Sequence, residues 1–335
     1  MRQSTGACSR CEPAAGGRAG RRALLALGVL AAMLSILAPT ARQSYGGQPA
    51  AGRSVYLPLA PVGAQMPEDR PGYARFAVIG DYGSDTPGEA QVSGLVKSWS
   101  PGFVVTVGDN NYGTDKAASI DRRVGQYYGD YMFPYHGAYG GGADSNRFYP
   151  ALGNHDWDSG GLAAFTDYFT LPGNERYYQV ARGPVRLLVL DSDPREPDGV
   201  TSDSTQGRWP QRALADSQSC WNLVILHHSP YSSSEHGSSA WMQWPFRAWG
   251  ADAVVGGHDH TYERLSVDGL PYFVNGLGGA SRYGMRTPVL GSVVRYNDTF
   301  GAMLVEAGAD SITYRFIAID GTVVDTYTQT GGCGA

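Results

Sequence analysis

From residue 74 onward the chain repeats one pattern: a short run of apolar, mostly β-branched residues that ends in a polar or glycine-rich loop. The runs are RFAVIGD (75–81), FVVTVGD (103–109), FYPALGNHD (148–156), VRLLVLDSD (185–193), WNLVILHHSP (221–230) and DAVVGGHDH (252–260). They are uniformly apolar before the loop, as expected of strands covered on both faces. Helical spacing between them predicts helices over 89–99, 116–128, 162–169 and 209–215, and over 241–249, where Pro245 interrupts the pattern. Alternating strands and helices predict an α/β architecture. The last stretch, GAMLVEAGADSITYRFIAIDGTVVDTYTQT (301–330), breaks its apolar runs at Gly-Ala-Asp and Asp-Gly turns. It reads as antiparallel strands that close the fold, giving two sheets in a single domain over 74–330.

The first 73 residues follow a different rule. Arg18, Arg21 and Arg22 precede ALLALGVLAAMLSILA (23–38), an uncharged apolar run too short for a comfortable membrane span and typical of an export signal. Residues 1–41 therefore read as an export signal or a retained signal anchor. The Arg21–Arg22 pair resembles a twin-arginine signal, with an ordinary basic leader as the alternative. Residues 42–73 are rich in Pro, Gly and Ala without a sustained period and read as a linker. With 42% hydrophobic residues in 335, the remainder is long enough to bury a sizeable core. The formal charge of −5 becomes more negative once five leader arginines and one glutamate are removed. An acidic export product without a basic run is a poor partner for nucleic acid, and membrane contact is expected only through an N-terminal anchor. Cys8 and Cys11 lie in the leader. Cys220 and Cys333 remain, either bridged in an oxidising compartment or as two separate thiols.

The unusual polar residues gather at the carboxyl ends of the predicted strands, the edge where open α/β sheets bind ligands. In order they are Asp81, Asp109, Tyr112, Asn154, His155, His228, His258 and His260. Five of seven histidines (His155, His228, His236, His258 and His260) fall in these loops, and His227 adjoins one. Each alone has a bland explanation as a turn, a cap or a hydrogen-bonded core group. Together they form a donor set of carboxylates, imidazoles, a carboxamide and a phenol, without thiolate. That set suits Fe, Mn, Zn or Co, and seven donors suit two ions bridged by a carboxylate better than one.

The motifs GDYG (80–83), GDNNY (108–112), GNHD (153–156), LHHSP (226–230) and GHDHTYER (257–264) stand in an order that resembles the calcineurin-like metallophosphoesterase superfamily, within it the purple acid phosphatase branch. The resemblance covers roughly residues 75–282. It implies a double β-sheet sandwich flanked by helices, in four αββα layers. It also implies a trivalent iron on Asp81, Tyr112 and His260, a divalent Fe, Zn or Mn on Asn154, His228 and His258, and Asp109 bridging the two. His228 is selected because the family's histidine immediately precedes a Ser-Pro or its equivalent, which leaves His227 as a neighbour. By the same resemblance His155 and His236 contact phosphate or protonate the leaving group, Asp156 counts with them among the catalytic residues, and the surroundings of the ligands include Asp156, Glu263 and Arg264. Tyr112 fits a trivalent ion on charge grounds. Two divalent ions outweigh two aspartates by two charges; a phenolate with one ion made trivalent keeps that excess.

The implied activity is an exported, metal-dependent phosphatase acting on small phosphate monoesters through a hydroxide activated by the metals. Two alternatives remain at this stage: a phosphodiesterase or nucleotide hydrolase on the same fold, and a surface module that has lost its chemistry. The loops 133–148, 193–209 and 276–288 are the expected pocket walls. Arg282 and Arg286 are either substrate contacts or solvated surface groups.

Overall fold

The computed structural model describes residues 72–158 and 160–334. The expected signal (1–41) and all but the end of the expected linker (42–73) lie outside the described residues. Among those described, no helix is long and apolar enough to cross a membrane.

Thirteen strands are described. They are β1 (Ala74–Ile79), β2 (Phe103–Thr106), β3 (Phe148–Pro150), β4 (Tyr178–Arg182), β5 (Val185–Val189), β6 (Trp221–His228) and β7 (Ala253–Gly257), followed by β8 (Tyr262–Val267), β9 (Leu270–Asn275), β10 (Ser292–Tyr296), β11 (Gly301–Ala307), β12 (Ser311–Ala318) and β13 (Val323–Thr330). They form two mixed sheets, ordered β13-β12-β11-β1-β2-β3 and β10-β8-β9-β7-β6-β5-β4. The uniformly apolar runs are the central parallel strands: every residue of β2, β6 and β7 is buried. The closing stretch forms β11 to β13, which add antiparallel to β1. The expected double sheet flanked by helices is the architecture found.

Rings fill the space between the sheets. Tyr262 stacks on Phe316 at 4.2 Å and Phe273 lies 4.8 Å from Tyr314, each pair crossing from one sheet to the other. A polar link and a covalent one accompany them. Arg264 Nε donates to Asp325 at 2.7 Å, joined by the Tyr262 hydroxyl at 2.8 Å, and Cys220 and Cys333 form a disulfide. The disulfide ties the start of β6 in one sheet to the segment following β13 in the other.

The helix Pro87–Ser98 begins two residues before the predicted start because a reciprocal cap fixes it. Thr86 Oγ1 accepts from Glu89 N, and the Glu89 carboxylate reaches back to the N–H groups of Ser84 and Asp85. The predicted helix 116–128 is present with a π turn at Asp121–Gly125. Pro245 does break the segment 241–249, leaving a 3-10 turn at Ala240–Met242 and a helix at Phe246–Trp249. Glu263 and Arg264 have their hydrogen-bond partners away from the predicted metal donors. Glu263 is buried against Ser233 and Ser292, and Arg264 belongs to the inter-sheet link.

Replacing either cysteine by serine opens a crosslink spanning 113 residues. The unfolding free energy should fall by about 2–5 kcal/mol. A urea titration of Cys333→Ser against the parent, both oxidised, checks this; unchanged midpoints would mean that the sheets are held without the crosslink.

Candidate metal centre

Two parallel strands carry the first pair of donors. Ile79 of β1 lies beside Thr106 of β2, so Asp81 and Asp109 emerge side by side two and three residues later. Asp81 N donates to Gly108 O at 3.1 Å and fixes that pairing beyond the strand ends. Both aspartates have left-handed backbone, φ 56° and 55°, as does His258 after β7 at 71°. Non-glycine residues seldom hold this conformation, and strain of this kind clusters at functional sites. The glycines of the motifs make room. A Cβ on Gly153 would lie 2.2 Å from Asp109 Oδ1, and one on Gly257 would lie 2.4 Å from Asp81 Oδ2.

Around Asp81 stand Tyr112 and His260. The Tyr112 hydroxyl is 2.9 Å from His260 Nε2 and 3.4 Å from Asp81 Oδ1, and His260 Nε2 is 3.4 Å from the same carboxylate oxygen. Ser281 Oγ holds His260 Nδ1 at 2.6 Å, turning Nε2 toward the phenol. Tyr112 N donates to Gly83 O, which pins the loop after β2 against the loop after β1.

Around Asp109 the structure brings together Asn154, His227 and His258. His227 Nδ1 faces the Val107 carbonyl at 2.8 Å and therefore carries the proton, leaving a lone pair on Nε2. That Nε2 lies 3.0 Å from Asn154 Oδ1, 3.4 Å from Asp109 Oδ1 and 3.2 Å from His258 Nδ1. Acceptor atoms converge there, and the imidazole N–H that would have donated is spent on Val107. A cation is what such a cluster fits. Asp81, Asp109 and His227 are also close enough in their ligand atoms to hold one ion.

His228 is not where the resemblance puts it. Its Nδ1 and its backbone N–H both meet Ser192 Oγ, at 2.9 and 2.8 Å, and its ring packs between His258 and Trp241. Successive residues of a strand face opposite ways. Here the pairing of β6 with β7 also shifts register between Ile225 and His228, so the preceding histidine reaches the donors.

Asp156 is a further departure. Its carboxylate accepts from Gly153 N and from both nitrogens of Asn110, so it braces the loops after β2 and β3 instead of facing the donors. Burial lifts it to about 6 against three hydrogen bonds that favour its charge. His155 and His236 do stand at the mouth. His155 N donates to Asp109 Oδ1, its ring lies 4.5 Å from Tyr112, and its Nδ1 is 3.3 Å from Asp158. His236 stacks on His258 at 4.1 Å. Arg282 is tied to the carbonyls of Asn297 and Asp298.

Several contributors carry no motif signal that separates them from ordinary loop residues. Ser192 and Ser281 orient imidazoles. Asp259 accepts from the N–H groups of His236 and Gly237 and from Ser232 Oγ, shaping the loop that presents His236. Arg195 donates to the Asn154 carbonyl at 2.9 Å and bonds Asp158 and Asp193. Asp259 sits inside GHDH, but its role appears only with the loop folded over it.

A family model described as calcineurin-like phosphoesterase matches residues 74–262. The chain belongs to that family. The fold and donor set agree with a metal-dependent phosphoric ester hydrolase, as the family's description and the acid phosphatases among its relatives indicate. Among curated proteins it resembles tartrate-resistant acid phosphatase type 5 of Oryctolagus cuniculus, 23% identical over 242 residues that make up 61% of this chain and 72% of the relative. Among solved structures it is similar to purple acid phosphatase PPD1 of yellow lupin, at 19% identity and a TM-score of 0.63, covering 78% of this chain and 54% of that one. It is also similar to GAP50, the anchor in the inner membrane complex of Plasmodium, at 17% identity and a TM-score of 0.58, covering 77% and 89%.

Electrostatics support a cation site. Burial raises the carboxyl of Asp81, and burial followed by the neighbouring Asp81 charge raises that of Asp109 well above the usual range. Burial lowers His227 well below its usual range and His258 to about 2, so these imidazoles are neutral and ready to ligate. Both aspartate shifts favour the protonated acids, so protons compete with a cation for these oxygens and metal affinity weakens as pH falls. Titrating a divalent ion into metal-free protein near neutral pH should release protons, read by calorimetry in buffers of differing ionisation enthalpy. A titration without proton release would show that the aspartates are already ionised.

Proposed function

We propose that the chain is an exported purple acid phosphatase that hydrolyses small phosphate monoesters, with residues 74–330 as its catalytic domain behind the linker and signal. The observation that carries this reading is the phenol of Tyr112, 2.9 Å from His260 Nε2 and 3.4 Å from Asp81 Oδ1. Burial and the charges of Asp109 and Asp81 push that phenol well above its usual range. It ionises only against a strong cation, which favours Fe(III) at Asp81, Tyr112 and His260. Asn154, His227 and His258 would hold a divalent Fe, Zn or Mn, and Asp109 would serve both ions. His227 replaces His228 in this assignment because of its Nε2 contacts.

When bound, the ions would acidify water and neutralise charge on the phosphate oxygens. The chain supplies the rest. Asp109 accepts from His155 N and so fixes the turn that carries both Asn154 and His155. With Nδ1 of His155 held by Asp158, its other nitrogen serves the departing ester oxygen, which leaves as an alcohol with a proton from His155; water supplies the new oxygen on phosphorus. His236 holds the phosphate from the opposite wall. The Cys220–Cys333 disulfide supports export, since such bonds persist in oxidising compartments.

The visible spectrum and metal content of the isolated protein test the assignment. A pink-to-purple band is expected, absent in Tyr112→Phe. A colourless protein holding two metal ions, still colourless after mild oxidation, would make it a divalent-metal phosphoesterase. In the same preparations His227→Ala should lose one of the two ions while His228→Ala retains both, since removing a ligand costs more than removing a neighbour. The reverse pattern would restore His228 as the ligand.

A further inference from the structure

One side chain at the mouth has no part in holding metal, yet it is anchored as firmly as those that do. Trp241 lies in the 3-10 turn Ala240–Met242 that follows the loop after β6. Ser239 N donates to Ser229 O at 2.9 Å, and the Trp241 carbonyl accepts from Trp244 Nε1 at 2.8 Å, so the turn is pinned at both sides. The indole N–H donates to the Ser192 carbonyl at 3.0 Å, which commits the polar edge of the ring inward. The ring lies 5.6 Å from His228, which in turn lies 4.5 Å from His258. Trp244 nearby is buried, but Trp241 remains 40% exposed. An indole held in place by its backbone and its N–H, part-exposed and one ring removed from His258, is a stacking platform whose ordering cost is already met.

We propose that Trp241 stacks an aromatic ring of the substrate, and that the favoured substrates are phosphate monoesters whose alcohol carries a heteroaromatic ring, as nucleoside 5′-phosphates do. This rests on the monoesterase reading above. Two ring contacts separate His258 from Trp241, a span comparable to that between phosphorus and base in such a compound. The ring is a spectator in the reaction: water adds to phosphorus, and the nucleoside leaves as an alcohol. Trp241 therefore acts on specificity, holding a part of the substrate that does not react.

Adenosine 5′-monophosphate and ribose 5-phosphate share a leaving alcohol and differ by the base, so comparing them isolates stacking from leaving-group chemistry. The full-length, metal-loaded enzyme should show the lower KM for adenosine 5′-monophosphate. Trp241→Ala should raise that KM about tenfold with kcat little changed, leave ribose 5-phosphate unaffected, and be largely rescued by Trp241→Phe, which keeps a ring without the N–H. Unfolding midpoints of both variants confirm that each is folded. Equal KM values in the parent, or a Trp241→Ala effect common to both substrates, would overturn the proposal and leave the monoesterase reading standing. If the parent hydrolyses neither compound, that reading fails. Calorimetric binding of the same two compounds to parent and Trp241→Ala then decides the stacking: a preference for the adenine compound that the variant loses supports it, and no preference rejects it.

Discussion

Acceptors facing acceptors is the condition on which the rest of this structure depends. Asn154 Oδ1 and Asp109 Oδ1 lie 3.0 and 3.4 Å from His227 Nε2, with the His227 proton spent on the Val107 carbonyl. Such a group is unfavourable in a bare protein core, because each lone pair has lost water and gained a like neighbour. The fold nonetheless commits much to it: three residues in left-handed backbone, glycines where a Cβ would strike a carboxylate, and serines whose hydroxyls turn the imidazoles. These features become coherent when a cation joins the acceptors. Metal binding is then part of what makes this arrangement of loops favourable.

The double sheet does not by itself specify chemistry. The same architecture, at comparable TM-scores, is found in a lupin purple acid phosphatase and in a Plasmodium membrane-complex anchor. What distinguishes one use from another is the set of side chains at the strand ends. Here those ends carry two aspartates, a phenol, a carboxamide and imidazoles, surrounded by ring contacts that run from Trp241 through His228 and His258 to His236 and on to Tyr283. On the other side of the mouth, Arg195 and its carboxylate partners brace the Asn154 loop.

Much of this was legible in the sequence, for a physical reason. Strands buried on both faces must be apolar throughout, so most central strands announce themselves and their first polar residues mark the ligand edge, whereas β9, wholly buried but holding Pro271, does not stand out as a run. Strands such as β4 and β10 were not visible, because an edge strand with one exposed face gives a short, mixed pattern. The choice between His227 and His228 was beyond the sequence for a different reason. A shift of one residue in the pairing of β6 with β7 exchanges the faces, and nothing in LHHSP fixes that register. Asp156 supports the candidate donors from behind and does not face them, and a carboxylate beside Asn154 reads the same in either place. Ser192, Ser281 and Asp259 act only through contacts made by folding, so no local pattern reveals them.

The pairing of β1 with β2 has a consequence for how this site can change. Asp81 and Asp109 ride on adjacent hydrogen-bonded strands, and the Asp81 N–H reaches across to Gly108 O to continue that spacing past the strand ends. Neighbouring strands lie about 4.8 Å apart in any sheet, so the two carboxylates start from a spacing that backbone hydrogen bonds set. The sheet thus acts as a ruler. Substitutions among the loops can exchange donors, reshape the walls or alter which ester is admitted, but the distance from which Asp81 and Asp109 set out belongs to the backbone and is the same whatever side chains surround it.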